Sequence, residues 1–326
     1  MSELVIGLDL GGTQIRTILA DESGRALARY SALTLAEEGP TAVLQRIDAA
    51  ISAVMPSEGV AAIGVGAPGP TDPYQGVILM GPNLPGWRNV NLSQLLGERF
   101  QTPVFVGNDA NLAGLAEHRY GAGQGVRHMV YITVSTGIGT GVIVDGRMLL
   151  GRRGLAAEIG HMTIDASVED WGGTDKSLVG TLEGLASGPH IAERARAALA
   201  AGAKSAVLDV VKGDIAAVSP RLLTEAARAG DRFALEQYER TGRYLGIGIT
   251  NILHIFNPDR VVLGGGVWMH AQDLMAETMW ATIRSRAQSP EYWQELTIVS
   301  AALGQDVGLL GAVALAHDGL SGTRVA

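Results

Sequence analysis

The sequence contains no cysteine. No disulfide can staple this fold, and any metal must be held by oxygen or nitrogen ligands. Charge is also sparse: 18% of the residues are Asp, Glu, Lys or Arg, and the formal net charge is −8. No long block of like charges occurs, and the basic stripe that would neutralise nucleic-acid phosphates is missing, so no nucleic-acid partner is expected. No apolar stretch approaches the roughly 20 residues needed to span a bilayer, which argues against a membrane. The opening MSELVIGLDLGG lacks the basic start, apolar core and cleavage site of a secretory signal, and a cytoplasmic location is the expectation. What is abundant is apolar residues, 47%, and glycine, 44 of 326 residues. The glycines fall in short clusters, which marks tight turns or backbone that must approach something closely. The length exceeds what one core usually organises, so two domains are expected.

Apolar runs of β type and helical periodicities alternate along the chain, which predicts an α/β architecture. Leu4 to Leu10 reads as a strand stopping at Gly11-Gly12-Thr13. Ile15 to Ala20, the turn cluster Asp21 to Gly24, and Arg25 to Tyr30 follow. Thr41 to Met55 carries apolar residues at helical spacing, and Val60 to Val65 and Val104 to Val106 return to strand. The stretch after Asn108, to about His118, reads as helix. Near residue 128 the opening pattern returns. Met129 to Val134 runs into Ser135–Gly141 and then Val142 to Val144, with Asp145-Gly146-Arg147 standing where Ser23-Gly24-Arg25 stood. This second hairpin is read as about two residues shorter. Gly188-Pro189, Ser219-Pro220 and Asp231 open three helices; Arg260 to Leu263 and Leu296 to Ser300 are strands, and Val307 to Ala316 is a last helix.

Three glycine-rich turns, Asp9 to Thr13, Ser135 to Gly141 and Gly264 to Gly266, each follow an apolar strand. Such turns let backbone N–H groups face phosphate oxygens without interference from Cβ. Plain tight turns are the competing reading of any one of them. Neither the P-loop spacing GxxxxGK[ST] nor GxGxxG occurs. Asp9 ends a buried strand, where an unpaired carboxylate is costly. It either organises Mg²⁺, through water, or caps the turn at Gly12 or Thr13. Asp109 lies just past a strand in Asn108-Asp109-Ala110-Asn111, where it either serves as a base for an attacking hydroxyl or shares in an N-cap of the next helix. Glu158-Ile159-Gly160-His161 has the i,i+3 spacing that puts Glu and His on one side of a turn. Glu183 completes this polar set. HExxH is absent and no second His lies at ligand spacing, so no zinc site is expected.

These residues sit in LDLGGTQIR (8–16), GAPGP (66–70), PNLPGW (82–87), GNDANLAGLAE (107–117), STGIGTG (135–141), EIGH (158–161), LEGLASG (182–188) and LGGGV (263–267). With these motifs in this order the sequence resembles the ROK family, bacterial sugar kinases and related repressors within the actin-like hexokinase superfamily. The resemblance implies a two-domain actin-like ATPase (ribonuclease H-like) α/β fold with an interdomain cleft. Residues 1–110 and the C-terminal helix at about 305–320 would form the small domain, and 111–304 the large one. It implies ATP-dependent phosphorylation of a hexose at its 6-hydroxyl, glucose first among candidates. Fructose, mannose, allose, N-acetylmannosamine, or polyphosphate as donor, are the alternatives. Gly11, Gly12, Thr13, Thr136 and Gly137 would hold phosphates, Gly264, Gly265 and Gly266 would face adenosine, and Asp9 would help position Mg²⁺. Asn83, Asn108, Asp109, Glu158, His161 and Glu183 would grip the sugar, with Asp109 as the base. A homodimer is implied as well. A non-catalytic sensor or repressor would carry a helix-turn-helix segment ahead of the first glycine turn, and Asp9 stands close to the start of this sequence. One departure stands out. The family's zinc module CxCGxxGCxE has Thr174, Lys176 and Thr181 at its cysteine positions here, so packing, through Trp171 and Leu178, is expected to brace His161 and Glu183 instead.

Overall fold

The computed structural model describes residues 3–168 and 175–322. Thr174 and Trp171, two of the positions named above, lie outside them. In chain order the first elements are β1 (Val5–Leu10), β2 (Gln14–Ala20), β3 (Ala26–Leu33), α1 (Pro40–Ser52) and β4 (Ala62–Ala67). Next come β5 (Thr71–Asp72), β6 (Val77–Met80), β7 (Arg88–Asn91), α2 (Leu92–Phe100), β8 (Val104–Asn108) and α3 (Asp109–Tyr120). Then follow β9 (Met129–Val134), β10 (Ile138–Val144), β11 (Arg147–Met148), α4 (Leu182–Ala186), α5 (Gly188–Ala200) and α6 (Val207–Val210). The chain ends with α7 (Pro220–Arg228), α8 (Arg232–Phe256), β12 (Arg260–Gly264), α9 (Gly266–Arg286), β13 (Thr297–Ser300) and α10 (Val307–Leu320). Among the described residues no helix is long and apolar enough to cross a membrane.

The chain packs as two compact units. One comprises Met1–Tyr131, Gly141–Ala157 and Ala301–Ala326, the other Ile132–Thr140 and Glu158–Ser300. A five-stranded sheet in the order β3-β2-β1-β4-β8 organises the first. β1 pairs antiparallel with β2 and parallel with β4, so one hairpin is extended by parallel strands. Successive side chains of a strand point to opposite faces, and β1 is buried on both. Ile6, Leu8 and Leu10 join Val43, Ile47 and Ile51 of α1 in one core. Val5 packs instead with Leu309 and Val313 of α10. The same alternation carries Asp9 to α10, where the first turn lies so near that a Cβ on Gly308 would sit 2.9 Å from the Asp9 carboxylate.

The second sheet has the order β11-β10-β9-β12-β13, which repeats the first position for position. Both glycine turns span three residues, 11–13 and 135–137, because β10 resumes at Ile138. The expected shortening is therefore not in the glycine turn. It lies in the following turn, where residues 21–25 are replaced by Asp145-Gly146. Both of these have positive φ, 51° and 76°, the conformation of a two-residue hairpin turn whose twist matches the strands. Several stretches left unassigned in the sequence reading are regular elements, α2 among them. Residues 71–91 form a separate three-stranded sheet, β5-β6-β7, and Gly266–Arg286 is a helix that the periodicity scan left unassigned.

Glu117 of α3 is fully buried and ties three stretches of the first unit together. Its carboxylate accepts the N–H groups of Ala122 at 2.8 Å, Ala302 at 3.0 Å and Leu303 at 2.9 Å. Removing it leaves three partly buried donors without their carboxylate, each at a cost of roughly 1–3 kcal/mol. Glu117→Ala is therefore expected to destabilise the protein by at least about 3 kcal/mol in urea unfolding, and an unchanged midpoint would contradict this role.

Candidate active site

In the first unit, β1 ends at the turn Gly11–Thr13. The turn is held from outside: Gly11 N–H donates to Gln14 O at 2.9 Å, Thr34 N–H to Thr13 O at 2.8 Å, and Thr34 Oγ1 to Gly11 O at 2.6 Å. Among the described residues the Gly12 and Thr13 N–H groups have no protein acceptor. Backbone N–H groups arranged in this way can donate to an anion. Gly12 has to be glycine, because a Cβ there would meet Asn83 Cβ at 2.7 Å. Asn83 is exposed on the turn Gly81–Trp87, which Leu84 and Trp87 anchor from the core. Asp9 does not cap the turn. Arg16 donates to its carboxylate through Nε at 3.2 Å and through a second, shorter bond, while its remaining nitrogen donates to Gln305 O at 2.8 Å.

The structure assigns the helix cap to Asn108, and the Asp109 carboxylate accepts from its neighbour Ala110 N at 2.7 Å. Asn108 is the N-cap of α3: its Oδ1 accepts from Ala110 N at 2.9 Å and Asn111 N at 3.1 Å, and its Nδ2 donates to Gly69 O at 3.0 Å. An asparagine amide has two N–H groups, so one remains for a ligand. With the cap supplied by Asn108, Asp109 becomes the first helical residue and is exposed. The partial positive charge of the helix N-terminus favours an anion there.

In the second unit the turn 135–137 adjoins a cavity of about 780 Å³, within the range of small-molecule sites. Ser135 and Thr136 line it together with the first residues of α5, α7 and α9. Three helix N-termini thus face one space, an arrangement suited to an anionic ligand. Gly265 has φ 86°, and a Cβ there would lie 2.4 Å from Val134 O. Glycine at this point lets the strand end turn into α9 against β9. Pro189, Tyr238, Val267 and Arg228 also line the cavity, and none of them carries a ligand signature in its sequence context. The helix starts at Pro189 and Pro220 were legible, but not their convergence.

Glu158, His161 and Glu183 also belong to the second unit. Glu158 and His161 flank a 3-10 turn, Ile159–His161, as the spacing predicted. Glu158 is exposed as a residue. Its carboxyl is nevertheless pushed above its ordinary range, first by burial, against the opposing His161 charge, with repulsion from Glu183 adding to the rise. The segments carrying the three side chains are joined by backbone hydrogen bonds. Ile164 N–H donates to Gly180 O at 2.8 Å and Leu182 N–H to Met162 O at 3.0 Å, with a bridge between Thr163 and Thr181. Thr181, at a cysteine position of the zinc module, caps α4 by accepting from Gly184 N at 3.1 Å. Leu178 contributes mainly its carbonyl, which accepts from Thr181 N and Oγ1.

Arg194, which the sequence did not single out, fastens α4 from behind. It is buried and donates to Leu185 O at 2.6 Å, Gln237 O at 3.0 Å and Thr241 Oγ1 at 3.0 Å. Burial lowers its pKa to about 10, which still leaves it charged near neutrality.

Residues 5–319 match the ROK family. The chain belongs to the ROK family. It is 34% identical over 324 residues, 98% of each chain, to a glucokinase of Thermotoga maritima. Among solved structures it is similar to a ROK hexokinase of Thermus thermophilus, 35% identical with a TM-score of 0.80, covering 98% of this chain and 99% of that one. It is also similar to a ROK glucokinase of Streptomyces griseus in complex with glucose and AMPPNP, 31% identical with a TM-score of 0.77, covering 97% and 99%. The ROK sugar-kinase fold, of the actin-like ATPase kind, accounts for the repeated sheets. Its motifs coincide with the turns and side chains described above.

A carboxyl whose folded-state pKa is raised disfavours folding while it is charged. The penalty is full above the folded-state pKa and vanishes below the unfolded value of 4.5. Glu158→Gln is therefore expected to melt higher than the wild type near pH 7 and equally near about pH 4, while its sugar KM rises. A lower melting temperature at neutral pH would contradict the assignment.

Proposed function

We propose that the chain is an ATP-dependent glucokinase that transfers the γ-phosphoryl group of ATP to the 6-hydroxyl of glucose. The observation that carries this reading is Asp109. It is an exposed carboxylate at the junction of β8 and α3, in a ROK chain whose relatives include glucokinases at 34% identity. Asp109 accepts the proton of the 6-hydroxyl as its oxygen bonds to the γ-phosphorus, and the bond to the β–γ bridging oxygen breaks to release ADP. General-base help of this kind contributes roughly 10²–10⁴ in rate.

In this reading Asn83, Glu158, His161, Glu183 and the remaining Asn108 N–H hold the other sugar hydroxyls. Pairs of acceptor oxygens on Glu158 and Glu183 suit vicinal hydroxyls. The Gly11–Thr13 and Thr136-Gly137 amides receive phosphate oxygens, and the cavity beside Gly264–Gly266 receives adenosine. The size of that cavity and its partly apolar wall of Pro189, Tyr238 and Val267 favour a nucleotide over polyphosphate, which has no base to fill it. Among the described residues no group of three metal-binding side chains occurs. Mg²⁺ needs none, since it keeps several waters and is bound by one or two carboxylates with substrate phosphates. Asp9 fits that role through water, its carboxylate being already engaged by Arg16. Magnesium, when bound, supplies neutralisation of the charge on the β- and γ-phosphate oxygens.

The reading further takes the enzyme as cytoplasmic and homodimeric. It takes residues 1–110 with the C-terminal helix as one functional domain and 111–304 as the other, on the strength of the family resemblance. Asp109→Asn keeps the shape and removes the base. It is expected to retain glucose binding by calorimetry and to lose at least about 10² in kcat. Near-normal turnover would refute Asp109 as the base.

A further inference from the structure

We propose that Glu183 is a positioning residue for the phosphoryl donor: its carboxylate fixes the second glycine turn in the shape that receives the nucleotide. The proposal deepens the kinase reading, on which it rests for the identity of the ligand. It starts from one hydrogen bond. Glu183 Oε2 accepts the backbone N–H of Ile138 at 2.7 Å, the length of a charge-assisted bond. Ile138 is the first residue after the turn, so this bond sets the peptide on which Thr136 and Gly137 hang. Among the described residues the N–H groups of Thr136 and Gly137 have no protein acceptor. They are the groups left for phosphate oxygens, and their direction follows from the next peptide.

The turn is shaped around the carboxylate. A Cβ on Gly137 would lie 2.7 Å from Glu183 Oε2 and 3.3 Å from its Cδ. The residue at 137 must therefore be glycine for the Glu183 bond to form. The segment that carries Glu183 grips the turn a second time, through Gly188 N–H to Ser135 O at 2.8 Å. That segment is itself fixed at both ends, by the Thr181 cap in front and by Arg194 on Leu185 O behind. A side chain serving the sugar alone would need none of this. Its acceptor oxygens would be free for hydroxyls, and the glycine turn would have no cause to fit around it. Oε1 makes no further hydrogen bond among the described residues, so one carboxylate can serve the turn and a sugar hydroxyl together.

The test is the affinity for Mg·AMPPNP without any sugar, measured by calorimetry on the full chain for the wild type, Glu183→Gln, Glu183→Asp and Glu183→Ala. The Gln amide oxygen still reaches Ile138 N–H, whereas the Asp carboxylate, one methylene shorter, and Ala do not. Glu183→Gln is expected within about threefold of the wild type, and Glu183→Asp and Glu183→Ala weaker by about tenfold, the loss of one charge-assisted bond. Should Glu183→Ala fail to fold, Glu183→Asp carries the comparison, since it keeps the charge and most of the side chain. Wild-type affinity in Glu183→Asp, equal losses in all three variants, or no sugar-free binding by the wild type would overturn the proposal. Glucose phosphorylation by the wild type is assayed alongside. Phosphorylation with unchanged nucleotide affinity in the variants sinks the positioning role alone. Nucleotide binding with no sugar phosphorylated sinks the kinase reading alone.

Discussion

A phosphate-binding turn must keep its backbone N–H groups unpaired while the strands on either side are fully paired, and something other than phosphate has to hold it in that state. Both glycine turns of this protein meet the constraint in the same way. Each has a glycine with no room for a Cβ, because a polar side chain stands against it: Asn83 against Gly12, and Glu183 against Gly137. The first contact is steric, and Thr34 supplies the hydrogen bonds that hold the turn. The second carries its own hydrogen bond, to Ile138. In a low-dielectric setting an unmade backbone bond costs more than a made one contributes, so these outside props decide whether the turns stay open.

The repeated sheet order explains why the props come in pairs. A hairpin extended by parallel strands presents its glycine turn at the ends of the parallel strands, where ligands of open α/β sheets collect. Two such sheets present two turns. Within each unit the neighbouring side chains are different, so the halves have diverged in chemistry while keeping the frame. The first unit contributes Asp9 and Asp109, the second Glu158, His161 and Glu183. The carboxyl of Glu158 is held in a setting that raises its pKa, through burial and the nearby Glu183.

Much of the fold was legible because its signals are local. β1 and β9 are mainly apolar runs that lead into glycine-bearing turns, and α7 and α8 begin after Ser219 and Asp231, which cap them. α9 follows a glycine run that reads as a loop, and this masks the helical spacing of its buried residues Trp268, Ala271, Met275, Met279, Thr282 and Ile283. β5 and β7 are too short to give a period. For the candidate site, residue types in family motifs named turns and carboxylates, but not the bonds they make. The cap at Asn108 was one of two readings, and only the hydrogen bonds from Ala110 and Asn111 assign it. The engagement of Asp9 by Arg16 has no sequence signature beyond a shared hairpin. The cavity lies where Thr136, Pro189, Pro220 and Gly266 converge, and distances of that kind in sequence carry no pattern. The loss of the zinc cysteines was visible at once, whereas the backbone pairing between Met162–Ile164 and Gly180–Leu182 was not.

The account turns on a carboxylate aimed at one hydroxyl of one sugar. The most direct test is to incubate the protein with Mg·ATP and glucose and to identify the product by phosphorus and carbon NMR. A single phosphate ester on carbon 6, formed together with stoichiometric ADP, is the predicted result. An ester on another carbon, or ADP released with no sugar ester, would contradict it.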